Sequence, residues 1–282
     1  MPFNIGFGCM SLNPKRSDNV ELLRIAVESG ITFFDTADLY DHGWNEEVVG
    51  EALSPVRSDV KIATKVGNEW NEAGTDWRWN PTKEYILKAV DFSLERLQTD
   101  YIDLYQLHGG TLEDPIDETI EAFELLKDQG KILNYGISSI RPNVIKEWIK
   151  RSNMSSVMMQ YSLLDRRPEE ECLDMLYKAG ISVITRGTLA KGMLVNKPAK
   201  AYLGYSKDEV QIMQDALSET GNSLSSSIKY VQQHPAVSNP IIGIRTIEQL
   251  SDIITSCEEI IPESTLNGLA EVLEPNVYEK HR

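Results

Sequence analysis

Along the chain, short runs rich in β-branched and aromatic residues alternate with longer stretches whose apolar positions recur every three or four residues. Eight of the short runs read as strands: NIGFGCM at Asn4, ITFFDT around Phe33, VKIATKV around Ile62, YIDLYQLH around Leu104, ILNYGIS around Tyr135, SVMMQYS around Met158, ISVITR around Val183 and NPIIGI around Ile242. Several are almost continuously apolar instead of alternating, the pattern of parallel strands covered on both faces. Helical stretches lie between them. Ser17 opens one that Gly30 closes, Thr82 opens another, and Gly130 and Gly180 end two more. In the first, Leu22, Leu23, Ala26 and Val27 share one face, which predicts packing against the sheet. Further helices are expected near 209–219, 223–232 and 264–273. The long segments 67–81 and 187–206 follow strands and read as irregular loops. An open doubly wound sheet and a closed barrel both accommodate this order. Eight evenly spaced strands favour a (β/α)8 TIM barrel, α/β in class, as a single domain over residues 1–282 with both long loops on the catalytic face.

Hydrophobic content of 41% and charged content of 25% are ordinary for a globular chain. No run approaches the roughly 18 apolar residues of a membrane helix, and the start lacks the basic and apolar regions of a secretory signal. No membrane association is expected. Cys9, Cys172 and Cys257 are few, odd in number and far apart, so neither a disulfide framework nor a metal site is expected, and a reducing cytoplasm is the simplest location. With 28 basic against 43 acidic residues the net charge is −15, which argues against nucleic acid as a partner. An anionic cofactor then needs a local positive cluster or free helix N-termini.

Four polar residues change the picture. Asp35 ends the second strand and Tyr40 follows it, Lys65 ends the third, and His108 ends the fourth. In a barrel these strand ends converge on one cavity. A free tyrosine has a pKa of about 10, too high for easy proton exchange near neutrality. An ammonium about 4 Å away contributes on the order of 4 kcal/mol at an effective dielectric of 20, roughly three pKa units before burial opposes it. Lys65 is therefore expected to lower the Tyr40 pKa, with Asp35 holding the lysine and His108 meeting the oxygen that Tyr40 protonates. His42 reads as part of the loop before a helix capped by Asn45, and His234 as a helix C-terminal contact. GFGCMS begins like a dinucleotide fingerprint, but Ser11 replaces the third glycine and too little chain precedes it.

FFDTADLYDHGWNEEVVGEAL, IATKV and TDYIDLYQLHGGTLEDPIDETIEAFELLKDQGKILNYGISS resemble signatures of the aldo-keto reductase family, and the resemblance covers nearly the whole chain. It implies a barrel that binds NADPH without a Rossmann motif and reduces a small-molecule carbonyl to an alcohol, with Asp35, Tyr40, Lys65 and His108 as the catalytic tetrad. It further implies that Ser138 and Gln160 contact the nicotinamide carboxamide. Ser139 stands where relatives often carry Asn, and Arg186 where many carry a stacking aromatic; a planar guanidinium can also stack. GTLAKGML is similar to the loop folding over the pyrophosphate, which implies contacts from Gly187, Thr188, Leu189, Lys191 and Gly192. IIGIRTIEQL is similar to the adenosine-phosphate segment and brings in Gly243, Ile244, Arg245, Thr246 and Gln249, with Arg245 favouring a 2′-phosphate. Ile253 departs from a family asparagine at the adenine. Gly8, Cys9 and Met10 match the strand end bordering the cofactor, and Asp35 is counted with both sets. Trp44, Trp70, Trp77 and Trp79 are candidates for an apolar substrate pocket, or for packing the loop down. A cofactor-sensing binding protein on the same barrel is the alternative to an enzyme, and a nicotinamide-independent isomerase or hydrolase is a third reading.

Overall fold

The computed structural model describes residues 4–282. Among these residues there are ten strands: β1 Gly6–Gly8, β2 Phe33–Asp35, β3 Lys61–Val66, β4 Asn68–Trp70, β5 Trp77–Trp79, β6 Ile102–Leu107, β7 Ile132–Ser138, β8 Ser156–Gln160, β9 Ser182–Arg186 and β10 Val237–Gly243. Eight of them close into a parallel barrel in the order β1-β10-β9-β8-β7-β6-β3-β2, with helices between successive strands. The eight predicted strands are those eight.

Alternation along the strands sorts their side chains into two environments. Phe33, Ala63, Leu104, Met158, Ile184 and Ile241 form an apolar cluster of their own, inside the barrel. Two residues further along the same strands come Asp35, Lys65, Gln106, Gln160, Arg186 and Gly243. The lumen is thus an apolar layer with a polar layer above it, toward the strand C-termini. β1 and β7 present glycine in the lower layer. A Cβ on Gly6 would lie 2.5 Å from Ile241, and one on Gly136 would lie 2.2 Å from the Ser156 carbonyl oxygen. Outward-facing residues such as Tyr105, Leu107, Tyr135 and Ile137 join the helices in the main core, where Phe123 stacks on Tyr135 and meets Trp148.

Several local expectations need correction. The 67–81 segment is not irregular: β4 and β5 pair antiparallel, setting Asn68 against Trp79, Glu69 against Arg78 and Trp70 against Trp77. The turn between them is closed by the Gly74 amide on the Asn71 carbonyl, with Gly74 at φ +63°. Aromatic and opposite-charge cross-strand pairs stabilise such a hairpin without long apolar alternation. Ser17 does not open the first helix, which spans Asn19–Glu28 after Asp18, whose carboxylate is engaged by Arg16. Val27 on that helix is half-buried, while Leu22, Leu23 and Ala26 are buried. Thr82 caps its helix as expected, accepting from the Tyr85 amide. The later helices span Lys207–Glu219, Ser223–Gln232 and Glu263–Ala270. The chain also forms a helix at Pro142–Arg151, whose short amphipathic pattern the sequence reading did not single out. No helix among the described residues is long and apolar enough to cross a membrane.

Candidate active site

β2 and β3 bring Asp35 and Lys65 together by strand pairing, and the salt bridge between them is buried, with Lys65 only 1% exposed. Lys65 Nζ donates to Asp35 Oδ1 at 2.7 Å and to the Thr36 carbonyl oxygen at 2.7 Å. An ammonium has three donors. Tyr40 lies on its remaining side: Nζ is 5.3 Å from the centroid of that ring, close enough to act electrostatically on the phenol. The chain turns sharply directly after Tyr40, with Asp41, His42 and Gly43 at φ +48°, +58° and +87°. His108 follows β6, tied by its amide to the Val66 carbonyl, and its ring meets the Tyr40 ring edge-on at 5.8 Å. The four residues predicted from separate strand ends therefore form one cluster.

The electrostatics differ from the sequence expectation at one point. Burial lifts the Tyr40 phenol above its ordinary pKa; Lys65 pulls it down, and Asp35 opposes that pull. The lysine acts in the expected direction but does not win in this structure, because desolvating a phenolate costs more than the neighbouring ammonium returns. Tyr40 is accordingly a neutral phenol at pH 7. Burial works against the Lys65 ammonium, but Asp35 and Tyr40 outweigh it and hold its pKa above the ordinary value. His108 is pushed down to about 3 by burial, Lys65 and Arg186, so its ring is neutral. Its Nδ1 is buried without a hydrogen-bond partner among the described residues.

Beside the tetrad, Arg186 donates to Gln160 Oε1 at 2.8 Å, and Gln160 Nε2 donates to the Tyr202 hydroxyl at 3.0 Å. Tyr202 had no signal in the sequence, since its loop has no period. Gln106 was missed too. It is buried beside Lys65 in the β3–β6 register, and neither its amide nitrogen nor its oxygen has a partner among the described residues. Its place near the end of β6, two residues before His108, is the signal that could have found it.

The proposed cofactor residues fall into distinct groups. Gly8 and Gly243 pair at adjacent strand ends, and Ser138 ends β7. Cys9 and Met10 lie past β1 in a short helical turn; Cys9 points into the outer core and Met10 is 65% exposed. Burial raises the Cys9 thiol well above its usual pKa, so it is unreactive. Ser139 spends its hydroxyl on the Arg141 amide. Gly187 adopts φ +71°, Ala190 +46°, Lys191 +59° and Gly192 +93°, which coils the loop after β9 tightly. Thr188 is buried with its hydroxyl on that of Thr185, while Leu189 is half-buried and Lys191 exposed. Ile244 is buried, and Arg245 is exposed with no ion pair among the described residues. Thr246 caps the helix Ile247–Glu258, and Gln249 Oε1 accepts from the Arg245 amide at 3.0 Å. Ile253 is buried in the core.

Asn45 does not cap its helix, which spans Trp44–Leu53 after Gly43; it is fully buried inside the first turn. His42 stacks on Trp70 at 3.9 Å. Trp79 donates to Asp114 and packs over Gly67 and Gly109, Trp44 packs against the core, and Trp77 is 47% exposed. His234 lies directly after the C-cap of the helix Ser223–Gln232, and its ring contacts Asp174 at 3.3 Å. The C-terminal segment is fastened beside these loops: Asn276 Oδ1 accepts from the Arg166 amide, and the His281 carbonyl accepts from the Asn143 amide.

A closed parallel barrel with a buried Asp–Lys pair, a tyrosine and a neutral histidine at its C-terminal rim is the architecture of a barrel oxidoreductase. Residues 4–274 match the Aldo/keto reductase family model, and the chain belongs to that family. It is 48% identical to the uncharacterized oxidoreductase YqkF of Bacillus subtilis (strain 168), over 99% of this chain and 95% of that protein. The holo form of aldo-keto reductase AKR11C1 from Bacillus halodurans superposes with a TM-score of 0.96 at 46% identity, covering 99% of this chain and 95% of that one. An aldo/keto reductase from Klebsiella pneumoniae in complex with NADP and acetate matches with a TM-score of 0.79 at 25% identity, over 99% of this chain and 94% of that one.

Proposed function

We propose that this oxidoreductase is one compact catalytic unit that uses NADPH to reduce aldehydes and ketones, with Tyr40 as the proton donor. The observation that carries this reading is Lys65: an ammonium 1% exposed, fixed at 2.7 Å to Asp35 and directed at the Tyr40 phenol. A neutral phenol is the form needed to protonate a developing alkoxide, and burial holds Tyr40 in that form. Neutral His108 can donate one N–H to the same oxygen and place the carbonyl without adding charge. When bound, the nicotinamide supplies the hydride. For its carboxamide the chain offers Ser138 and Gln160. For a 2′-phosphate it offers the guanidinium of Arg245, without an ion pair among the described residues, and the amides of the helix starting at Ile247, a local positive site in an acidic protein. The free thiols of Cys9, Cys172 and Cys257 fit a reducing cytoplasm.

The test is NADPH oxidation with 4-nitrobenzaldehyde by the wild type and Tyr40→Phe. The variant should lose about 10²–10⁴-fold in kcat while cofactor binding by fluorescence quenching stays unchanged. Full activity in Tyr40→Phe sinks the assignment, and tight NADPH binding without wild-type turnover transfers the reading to cofactor sensing. Arg245→Ala should weaken NADPH binding roughly 10–100-fold and leave NADH nearly unaffected, the loss of about 1.5–3 kcal/mol of charge-assisted bonding.

A further inference from the structure

The first turn of helix Trp44–Leu53 carries two consecutive polar residues, Asn45 and Glu46, both fully buried. A buried carboxylate costs several kcal/mol unless its oxygens are satisfied, and both oxygens of Glu46 are. Oε1 accepts from Thr64 Oγ1 at 2.5 Å; Oε2 accepts from Arg96 Nε at 2.8 Å and from its terminal nitrogen at 2.6 Å. Asn45 Oδ1 accepts from Thr36 Oγ1 at 2.6 Å, and its Nδ2 donates to the Cys9 carbonyl at 2.8 Å. The two threonines are chain neighbours of the catalytic pair: Thr36 follows Asp35 and gives its carbonyl to Lys65 Nζ, and Thr64 precedes Lys65. Strand alternation points the threonines outward and the catalytic groups inward. One helix turn, outside the barrel, thus holds by their side chains the two threonines that flank Asp35 and Lys65 in sequence.

Arg96, from the helix Lys83–Leu97, completes the grip on the tyrosine side. Its Cδ and Nε lie 2.7 Å from where a Cβ on Gly43 would be, and Gly43 closes the left-handed turn that carries Tyr40. A Cβ on Gly50 would lie 2.3 Å from the Arg96 carbonyl oxygen, so the two helices meet backbone to backbone around this arginine. Resting on the reading of Tyr40 as proton donor, we infer that Glu46 and Arg96 are positioning residues that set the Lys65 ammonium against the Tyr40 phenol, acting through Thr64 and through the Tyr40–Gly43 turn. Neither residue touches the reacting atoms. Glu46 fixes the strand under the lysine, Arg96 fixes the turn under the tyrosine, and the ion pair between them fixes the distance.

Arg57–Asp103 is an internal control. This ion pair, at 2.6 Å, is also shielded and also fastens strands, since Asp103 accepts from the Ile62 amide and Arg57 donates to the Tyr101 carbonyl, but it sits at the opposite end of the barrel. Glu46→Gln and Thr64→Val should each lower kcat about tenfold or more, leave the NADPH dissociation constant within twofold, and move the alkaline limb of the reduction profile upward as Lys65 loses its hold on Tyr40. Arg96→Lys, which keeps the charge but not the fork, should fall between them and the wild type. Asp103→Asn should lower the melting temperature to a similar degree with kcat and pH profile unmoved. The inference is overturned if Thr64→Val and Arg96→Lys keep the wild-type kcat and pH limb, or if Asp103→Asn shifts that limb as much as they do. If Glu46→Gln fails to fold, those two variants decide alone. Failure of the functional reading is separable, because it appears as activity retained in Tyr40→Phe whatever these variants show.

Discussion

The two layers of the barrel lumen lie two residues apart on the same strands and do opposite work. Below, Phe33, Ala63, Leu104, Met158, Ile184 and Ile241 are packed against one another and carry no polar side-chain atom that needs a partner. Above, Asp35 and Lys65 are equally hidden but form an ion pair, and Gln106 is buried with its whole amide unsatisfied. Burial at these three residues matches that of the layer below, whereas Gln160, Arg186 and Gly243 are more exposed; the chemistry differs throughout. The lower layer gains free energy by excluding water, whereas the upper layer gives some of it up to hold charges and donors where water cannot compete.

The comparison is sharpest at Lys65. Lys65→Met should reduce carbonyl-reducing kcat by about 10²–10⁴-fold, and it should also destabilise the fold by roughly 3–5 kcal/mol, because Asp35 is left buried without its counter-ion. In Asp35→Asn/Lys65→Met the melting temperature should recover while activity does not. Recovery of both would mean that the pair serves folding alone. Leu104→Ala, one layer down, should cost about 2–5 kcal/mol in denaturant unfolding and change kcat only a few-fold. A catalytic loss matching that of Lys65→Met would erase the distinction between the layers.

Smaller effects follow from pH. His108 has a folded-state pKa of about 3 against an ordinary 6.5, so the unfolded chain binds its proton first. Its contribution to stability is fully present above pH 6.5 and is lost as pH falls from there toward 3, by about 1.4 kcal/mol per pH unit at the steepest. Urea unfolding of wild type and His108→Asn at pH 7 and pH 5 reads the difference, and the variant should show the shallower decline. Because Tyr40 is lifted by burial, reduction should hold level past pH 8, and its alkaline limb should lie above 10.0 in a pH–rate profile. An alkaline limb near 7 would show that Lys65 outweighs burial after all.

The eight barrel strands were legible because each is a short apolar run between helix punctuation, and the tetrad was legible because Asp35, Lys65 and His108 end such runs. The hairpin at Asn68–Trp79 was not, since its stability rests on cross-strand pairs such as Trp70 with Trp77, and pairing partners have no local signature. Asn45 resembled a cap because capping and burial favour the same residue type at a helix start. Tyr202 and Arg96 reach the site from 42 and 50 residues beyond their partners Gln160 and Glu46, and no window along the chain contains both ends of such a contact.

By itself, the sequence determined the alternation of strand and helix, the parity that sends Asp35, Lys65 and Gln106 to one side of their strands, and the residue types available for proton transfer. These are local properties, set by side-chain period and chemistry. Only the tertiary structure decided whether the ammonium or the burial governs Tyr40, which oxygens Glu46 meets, and which of the tryptophans pack instead of lining a pocket. Those outcomes depend on desolvation and on distances between segments far apart in the chain, and both exist only once the barrel has closed.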